Sequence, residues 1–406
     1  MVGMGTQSSV RGGAFRLLLC TTVLGFGGYA LLLPVVPLWV AHGGSGAFGA
    51  GASTGVFMLF TVLSQFGVPW LLRRIGHRWV LGIGLALVGA PAPAFALSAA
   101  LAPVLGLSAV RGVGFGLLTV GGAALVAELA PAGEHGRASA WLGVAIGLPQ
   151  LTLLPLGVTG VDRLGFPVVL ALGASPLLAL PLVPFLGPPA RAVARAAPSA
   201  GRGEGGRAAS AAGGFGRAGP GGWAVTAGPV VAMLACATAQ GGLVTFLPLV
   251  AEAGAVTVAL FGTAVGALAG RLVAGELVDR YSLGGRLLAP GVAFTLVGML
   301  VEVFAVSAEA PAGLAEVGVF SGGALLVGLG FGLVQNDSLV ALFAAAGPAR
   351  YGHASAVWNI AYDAGTGVGA LGLGAVAQAF GFGGAFGVAA ALVLVATPFT
   401  LRRRPC

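Results

Sequence analysis

Runs of about twenty apolar residues, separated by short polar or basic breaks, recur from one end of the 406-residue chain to the other. A helix needs about 20 residues to cross a hydrocarbon core of roughly 30 Å. By that measure the pattern predicts twelve membrane-spanning helices, at 17–41, 48–71, 79–100, 102–127, 138–160, 164–186, 223–250, 256–278, 285–307, 314–344, 352–379 and 382–400. The first is too long for a cleaved signal peptide, and no small-residue cleavage site follows a short apolar core, so it is expected to remain as a span.

One break is of another kind. Residues 187–222 carry Arg191, Arg195, Arg202, Arg207 and Arg217 with one acid, Glu204, amid Gly, Ala, Ser and Pro. This segment has little to bury and is expected to be a flexible cytoplasmic linker. It divides the chain into a six-helix bundle at 1–186, the linker at 187–222, and a second six-helix bundle with a cytoplasmic tail at 223–406. The expected fold class is all-α and integral to a membrane.

Composition agrees and excludes more. Charged residues make up 8% of the chain and apolar ones 57%, against about 25% charged in ordinary soluble domains. A soluble fold so poor in charge could not cover its surface with polar groups. All 20 basic residues are arginine, which excludes the lysine of a P-loop and Schiff-base chemistry. Cys20, Cys236 and Cys406 show no metal-like spacing, so neither a metal nor a cofactor is expected.

The net charge of +8 could suggest nucleic acid, but the placement of the arginines argues for membrane topology instead. Arg11, Arg16, Arg73, Arg74, Arg78, Arg137, the five linker arginines, Arg280, Arg286, Arg350 and Arg402 to Arg404 fall on one side of the twelve-span scheme. Only Arg163 falls on the other. Both termini and the linker are therefore expected in the cytoplasm, with the protein in the inner or plasma membrane and no nucleic-acid partner.

The two halves repeat. Gly112-Val-Gly-Phe-Gly-Leu-Leu118 is echoed by Gly328-Leu-Gly-Phe-Gly-Leu-Val334, and Gly136-Arg-Ala-Ser-Ala140 by Gly352-His-Ala-Ser-Ala356, both at an offset of 216. Pro37-Leu38 matches Pro248-Leu249 at an offset of 211. Units six spans apart share one membrane orientation, so these are parallel repeats.

Gly275-Glu-Leu-Val-Asp-Arg280, followed by Gly284-Gly-Arg286, resembles the loop signature of the major facilitator superfamily, and the chain resembles that family over nearly its whole length. The stretch after span two, Pro69 to Arg78, keeps Arg74, Gly76 and Arg78 but has Pro69 and Arg73 where the family has Gly and Asp. The resemblance implies a transporter of two parallel six-helix repeats that works as a monomer. It also implies a cytoplasmic gate built from Gly275, Asp279, Arg280, Arg74 and Arg78, with Glu128 or Glu134 as the acid facing the N-terminal arginines. Span five, with Gly143, Gly147, Pro149, Pro155 and Gly157, loosely resembles the family's exporters.

Ionisable groups inside a span usually face a cavity or a partner. Arg111 lies about 14 Å inside span four and Asp363 roughly 16 Å inside span eleven, both near the bilayer centre. Asp337 lies in Gln335-Asn336-Asp337 of span ten, Glu302 toward the outer half of span nine, and Arg271 within span eight. Asp363, Asp337, Arg111, Asn359, Tyr362, Gln335 and Asn336 are the candidates for proton coupling or substrate contact. A carboxylate in a partly dry cavity could take a proton from one side and release it to the other. Gln65, Gln150 and Gln240 could add neutral hydrogen bonds, whereas Glu302 is expected to be structural or to snorkel. Span one has no acid of the kind that proton-coupled sugar importers of the family use. The expected function is export of a small, largely apolar compound, an antibiotic or metabolite, in exchange for protons. The alternatives are a sugar or organic-acid transporter, with Arg111 as a carboxylate contact, or a membrane enzyme or sensor. An enzyme is disfavoured because His42, His77, His135 and His353 are scattered and no paired Asp-rich motif occurs.

Overall fold

A computed structural model describes residues 12–129, 135–186, 220–281, 283–306, 313–347 and 350–401. Arg11, Glu134, the linker arginines with Glu204, Arg402 to Arg404 and Cys406 lie outside it, as do the side chains of Arg137 and Asp279. Every regular element among the described residues is helical. Helix α1 (Gly13–Val40) runs through a π turn into a helix over Gly46–Gly89, which Gly76 breaks at φ 79° and ψ 167°, giving α2 (46–75) and α3 (77–89). Next come α4 (Leu101–Leu129), α5 (His135–Leu164) and α6 (Phe166–Leu172). The second half opens with α7 (Pro220–Phe246), α8 (Ala253–Tyr281), α9 (Leu288–Ala305) and α10 (Leu314–Ala346). The helix over Tyr351–Leu401 is broken at Gly381, giving α11 (351–380) and α12 (382–401).

Nine stretches among the described residues are long and apolar enough to cross a membrane. Breaks at Gly44 and Gly76 divide the first, Gly13–Leu97, into three, and Gly381 divides the last, His353–Leu401, into two, which makes twelve crossings. Three predicted spans are not continuous α-helices, the seventh ending in a 3-10 turn at Leu247–Leu249. The third gives way after Gly89 to turns and a 3-10 segment, Pro93–Leu97. The sixth is a short α-helix extended by a 3-10 segment, Ser175–Phe185, that contains Pro176, Pro181 and Pro184. Proline lacks the N–H for the α-helical ladder and clashes with the preceding turn, so closely spaced prolines disrupt it. Large apolar side chains such as Leu63, Trp79, Leu272 and Val395 stand more than half exposed, which suits lipid rather than water.

The repeated glycine motif has a packing cause. Side chains built on Gly112 and Gly116 of α4 would collide with the carbonyls of Phe57 and Thr61 on α2, and one on Gly114 with that of Gly84 on α3. In the second half, Gly328 and Gly332 of α10 lie in the same way against Thr263 and Ala267 of α8, and Gly330 against Gly291 of α9. Alternate glycines thus let one helix approach two others, the close approach that small residues permit between membrane helices. A further pair carries the offset of 216: Gly165 (φ 80°) precedes α6 and Gly381 (φ 73°) precedes α12. Both hold the left-handed conformation that favours glycine.

One apolar core joins α1 to α5 and the 3-10 segment that follows α6, around Phe26, Phe115 and Leu125. Another joins α7 to α12 around Phe246, Phe320 and Phe386, and takes in Ala50 of α2 with Leu154 and Val158 of α5. The halves therefore meet at the end away from the arginine-rich α2–α3 and α8–α9 turns. There Gly51 of α2 lies against the Ala370 carbonyl of α11, and Gly374 of α11 against that of Ala47. Phe48 donates its N–H to Gln378 Oε1 at 3.4 Å, and the Thr159 and Thr257 hydroxyls join α5 to α8 at 2.7 Å. This end is sealed.

Candidate functional site

From the seal toward the arginine-rich end, α2 and α11 diverge. Between them, and between α5 and α8, lies a cavity of about 670 Å³. On α2 its wall runs from Gln65 through Pro69 and Trp70 to Arg73, and on α11 from Asp363 through Tyr362 and Asn359 to His353. Gln65 to Arg73 is about 12 Å of helical rise, which sets the depth between a mouth at Arg73 and His353 and a floor at Gln65 and Asp363. Phe26, Phe115, Ile146 and Trp358 supply apolar wall. A smaller cavity of about 60 Å³, between α1, α5, α7, α8 and α10, shares Tyr29, Gln150, Arg271, Gln335 and Tyr362 with it and adds Gln240.

At the floor, Gln65 Nε2 donates to Asp363 Oδ2 at 2.6 Å, joining the two halves. Asp363 is buried and is the only described carboxylate lining either space. Beside it Tyr29 of α1 approaches Tyr362 of α11 closely enough for their hydroxyls to interact. The Tyr29 ring stacks on Phe115 at 4.2 Å between centroids, and Tyr362 lies against Phe331 at 5.7 Å and Trp358 at 6.0 Å. Asn359 Nδ2 donates back to the Ser355 carbonyl at 2.8 Å, the local bond expected of a short polar side chain in a helix.

Asp363, Tyr362, Asn359 and Gln335 therefore come together on one space, whereas three other candidates do not join them. Asp337 is buried, but its carboxylate accepts the backbone N–H groups of Gly285 at 2.6 Å and Leu287 at 2.8 Å. These donors sit in the α8–α9 turn, where a helix start leaves N–H groups without backbone partners. Asp337 is thus a cap supplied by α10 and lines neither cavity. Asn336 lines neither either. Arg111 is held behind the floor, with Nε donating to the Val88 carbonyl at 3.0 Å and Nη2 to that of Gly28 at 3.1 Å. Its guanidinium also lies over the rings of Phe57 and Phe95, at 5.7 and 5.6 Å.

The expected gate residues make other bonds than those foreseen. Glu128 faces His77, at 3.4 Å, and not Arg74 or Arg78. Arg78 Nε donates to the Leu186 carbonyl at 2.5 Å, tying the α2–α3 turn to the end of the α6 span, and Arg74 lies 5.6 Å over the Trp70 ring. Arg280 pairs with Glu276 one turn earlier on α8. A side chain on Gly275 would meet nothing within 4 Å, so close packing does not explain that glycine. Glu302 does not snorkel. It is fully buried, and neither carboxyl oxygen has a hydrogen-bond partner among the described residues.

The cavity takes in Gln150, named from the sequence as a neutral hydrogen-bonding group, and also Tyr29 and Arg271, of which the sequence placed Arg271 within span eight without assigning it to the site. The signal was the rarity of polar groups in apolar helices. What it lacked was the face each one occupies.

No curated protein matches the chain. Among solved structures, the chain is similar to the crystal structure of a bacterial homologue of the human lysosomal transporter Spinster in its inward-facing, unoccupied conformation, with a TM-score of 0.72 and 13% identity over 98% of this chain and 97% of that one. At that identity the likeness shows the fold. The family model of the Major Facilitator Superfamily matches residues 18–370, and the chain belongs to that superfamily of multi-pass membrane transporters.

Proposed function

We propose that the protein exports a small, largely apolar compound in exchange for protons, by alternating access of two six-helix bundles, 1–186 and 223–406, joined by a cytoplasmic linker over 187–222. The observation that carries this reading is the Gln65–Asp363 hydrogen bond, which puts the one cavity carboxylate on the seam between the bundles. Protonation of Asp363 would weaken its hold on Gln65 and so couple proton binding to movement at that seam. The arginine-rich turns, read as cytoplasmic, make the cavity inward-open, the state also named for the Spinster homologue. In this reading Asp363, Tyr362, Asn359 and Gln335 contact proton or substrate. Arg74, Arg78, Glu128, Gly275, Asp279 and Arg280 lie around the turns that rearrange when the mouth closes.

The test begins with growth-inhibition screening in an efflux-deficient bacterium expressing the protein, which supplies a transported compound. That compound is then followed in proteoliposomes under an imposed pH gradient. Wild-type transport should follow the gradient, and Asp363→Asn should lose that dependence. Gradient-driven transport of normal size by Asp363→Asn would overturn the proton assignment.

A further inference from the structure

Arg271 is a cation with no acid paired to it among the described residues. It lies in α8 and lines both the large and the small cavity. Arg271 forms no ion pair among the described residues. The one carboxylate of the cavity lining, Asp363, is engaged by Gln65. Arg111 shows how this fold satisfies a structural arginine, with two carbonyls and two aromatic faces. Arg271 has no comparable set of bonds.

An arginine held inside a membrane protein without a counter-charge is costly, and a function that uses the charge accounts for its presence. The surroundings fit an anion. Gln150, Gln240 and Gln335 bring three carboxamides to the small cavity, whose NH2 groups can donate to an anion, and Gln240 Oε1 is buried without a hydrogen-bond partner among the described residues. On the α5 side stand Gly143 and Gly147. The Arg271 Nη2 atom lies 4.0 Å from the place a side-chain carbon on Gly143 would occupy, so at this position α5 presents no side chain to the guanidinium. Toward the mouth the walls become apolar through Phe26, Phe115 and Trp358.

We propose that the cavity binds an amphiphilic monoanion, its acidic group on Arg271 and the nearby carboxamides and its apolar body against the aromatic wall. The transport reading gives this binding its purpose, and the proposal narrows that reading to compounds with one acidic group.

The experiment is calorimetric titration of the purified full-length protein with naphthalene-1-acetate and with its neutral isostere, naphthalene-1-acetamide, at neutral pH. Wild type should bind the acid about tenfold tighter than the amide or better, the scale of a charge-assisted hydrogen bond. Arg271→Gln should bring the two affinities together by weakening only the acid, and Arg271→Lys should retain part of the preference. Gly143→Leu, which covers the guanidinium and keeps the charge, should also reduce the preference and serves if Arg271→Gln does not fold. Equal affinities in wild type, no saturable binding of the acid, or a preference that survives Arg271→Gln would each overturn the proposal. Acid-selective binding without gradient-driven export would sink the exporter reading and leave this one standing. Gradient-driven export without acid preference would do the reverse.

Discussion

Gln65 Nε2 lies 2.6 Å from Asp363 Oδ2, and this bond crosses from α2 to α11 where the two helices begin to separate. Toward the seal they touch backbone to backbone through Gly51 and Gly374, and toward the mouth they enclose the cavity. A carboxamide at 363 can still bond to Gln65. Asp363→Asn should therefore keep the thermal stability of wild type while losing response to a pH gradient. Gln65→Leu should cut gradient-driven transport by about tenfold or more, since it removes a hydrogen bond to a charged group. Flux and melting temperature measured on both variants check this.

Asp337 should behave in the opposite way. Asp337→Ala leaves the Gly285 and Leu287 N–H groups without their acceptor, at a cost of about 3 kcal/mol for two bonds to a charged group. Asp337→Asn, which keeps one acceptor oxygen, should fall between. Unfolding in detergent reads this order, and loss of gradient dependence in folded Asp337→Asn would contradict it.

The glycine motif predicts matched effects in the two halves. Gly112→Ala and Gly328→Ala each drive a methyl group into a neighbouring carbonyl and should destabilise by about 2 kcal/mol. Gly122→Ala, with no atom within 4 Å of the added carbon, should be neutral or slightly stabilising. Melting temperatures of the three variants decide the matter.

Glu302 offers a test of the peripheral helices. Its carboxyl is fully buried without a hydrogen-bond partner among the described residues, and a side chain on Gly323 would stand 2.6 Å from Oε1. Glu302→Leu should leave stability unchanged or raise it by about 1 kcal/mol, because an unpartnered polar group is replaced by an apolar one. Gly323→Ala alone should destabilise, and the double variant Glu302→Ala, Gly323→Ala should recover most of the loss. A double-mutant cycle on thermal unfolding measures that coupling.

The Thr159–Thr257 contact marks the sealed end. Cysteines at both positions, in a chain lacking Cys20, Cys236 and Cys406, should be bridged by a short bifunctional thiol reagent. Bridging should stop transport and spare binding of naphthalene-1-acetate from the mouth, and reduction should restore flux.

The crossings were legible because length and hydrophobicity suffice to define them, and the breaks at Gly76 and Gly381 fall between predicted spans. The α6 span was misread in its interior, since apolar composition does not reveal that Pro176, Pro181 and Pro184 replace an α-helix by a 3-10 segment. Depth was legible as well, but direction was not. Gln335 and Asp337 are two residues apart, about 200° around a helix, so one faces the cavity and the other caps a turn behind it. Arg111 and Phe115 share a face one turn apart, yet only Phe115 reaches the cavity. The partners of Glu128 and Arg78 depend on how turns from different helices meet, which spacing along one chain does not encode.

The glycine contacts have a consequence for how the two halves could diverge. Gly112 and Gly328 rest on main-chain oxygens, which every amino acid has, so these contacts do not themselves fix the side chains beneath them. Phe57 occupies in one half the place that Thr263 occupies in the other, and Thr61 the place of Ala267. The same joint therefore shows a matching glycine motif on α4 and α10 and unlike side chains at the contact positions on α2 and α8.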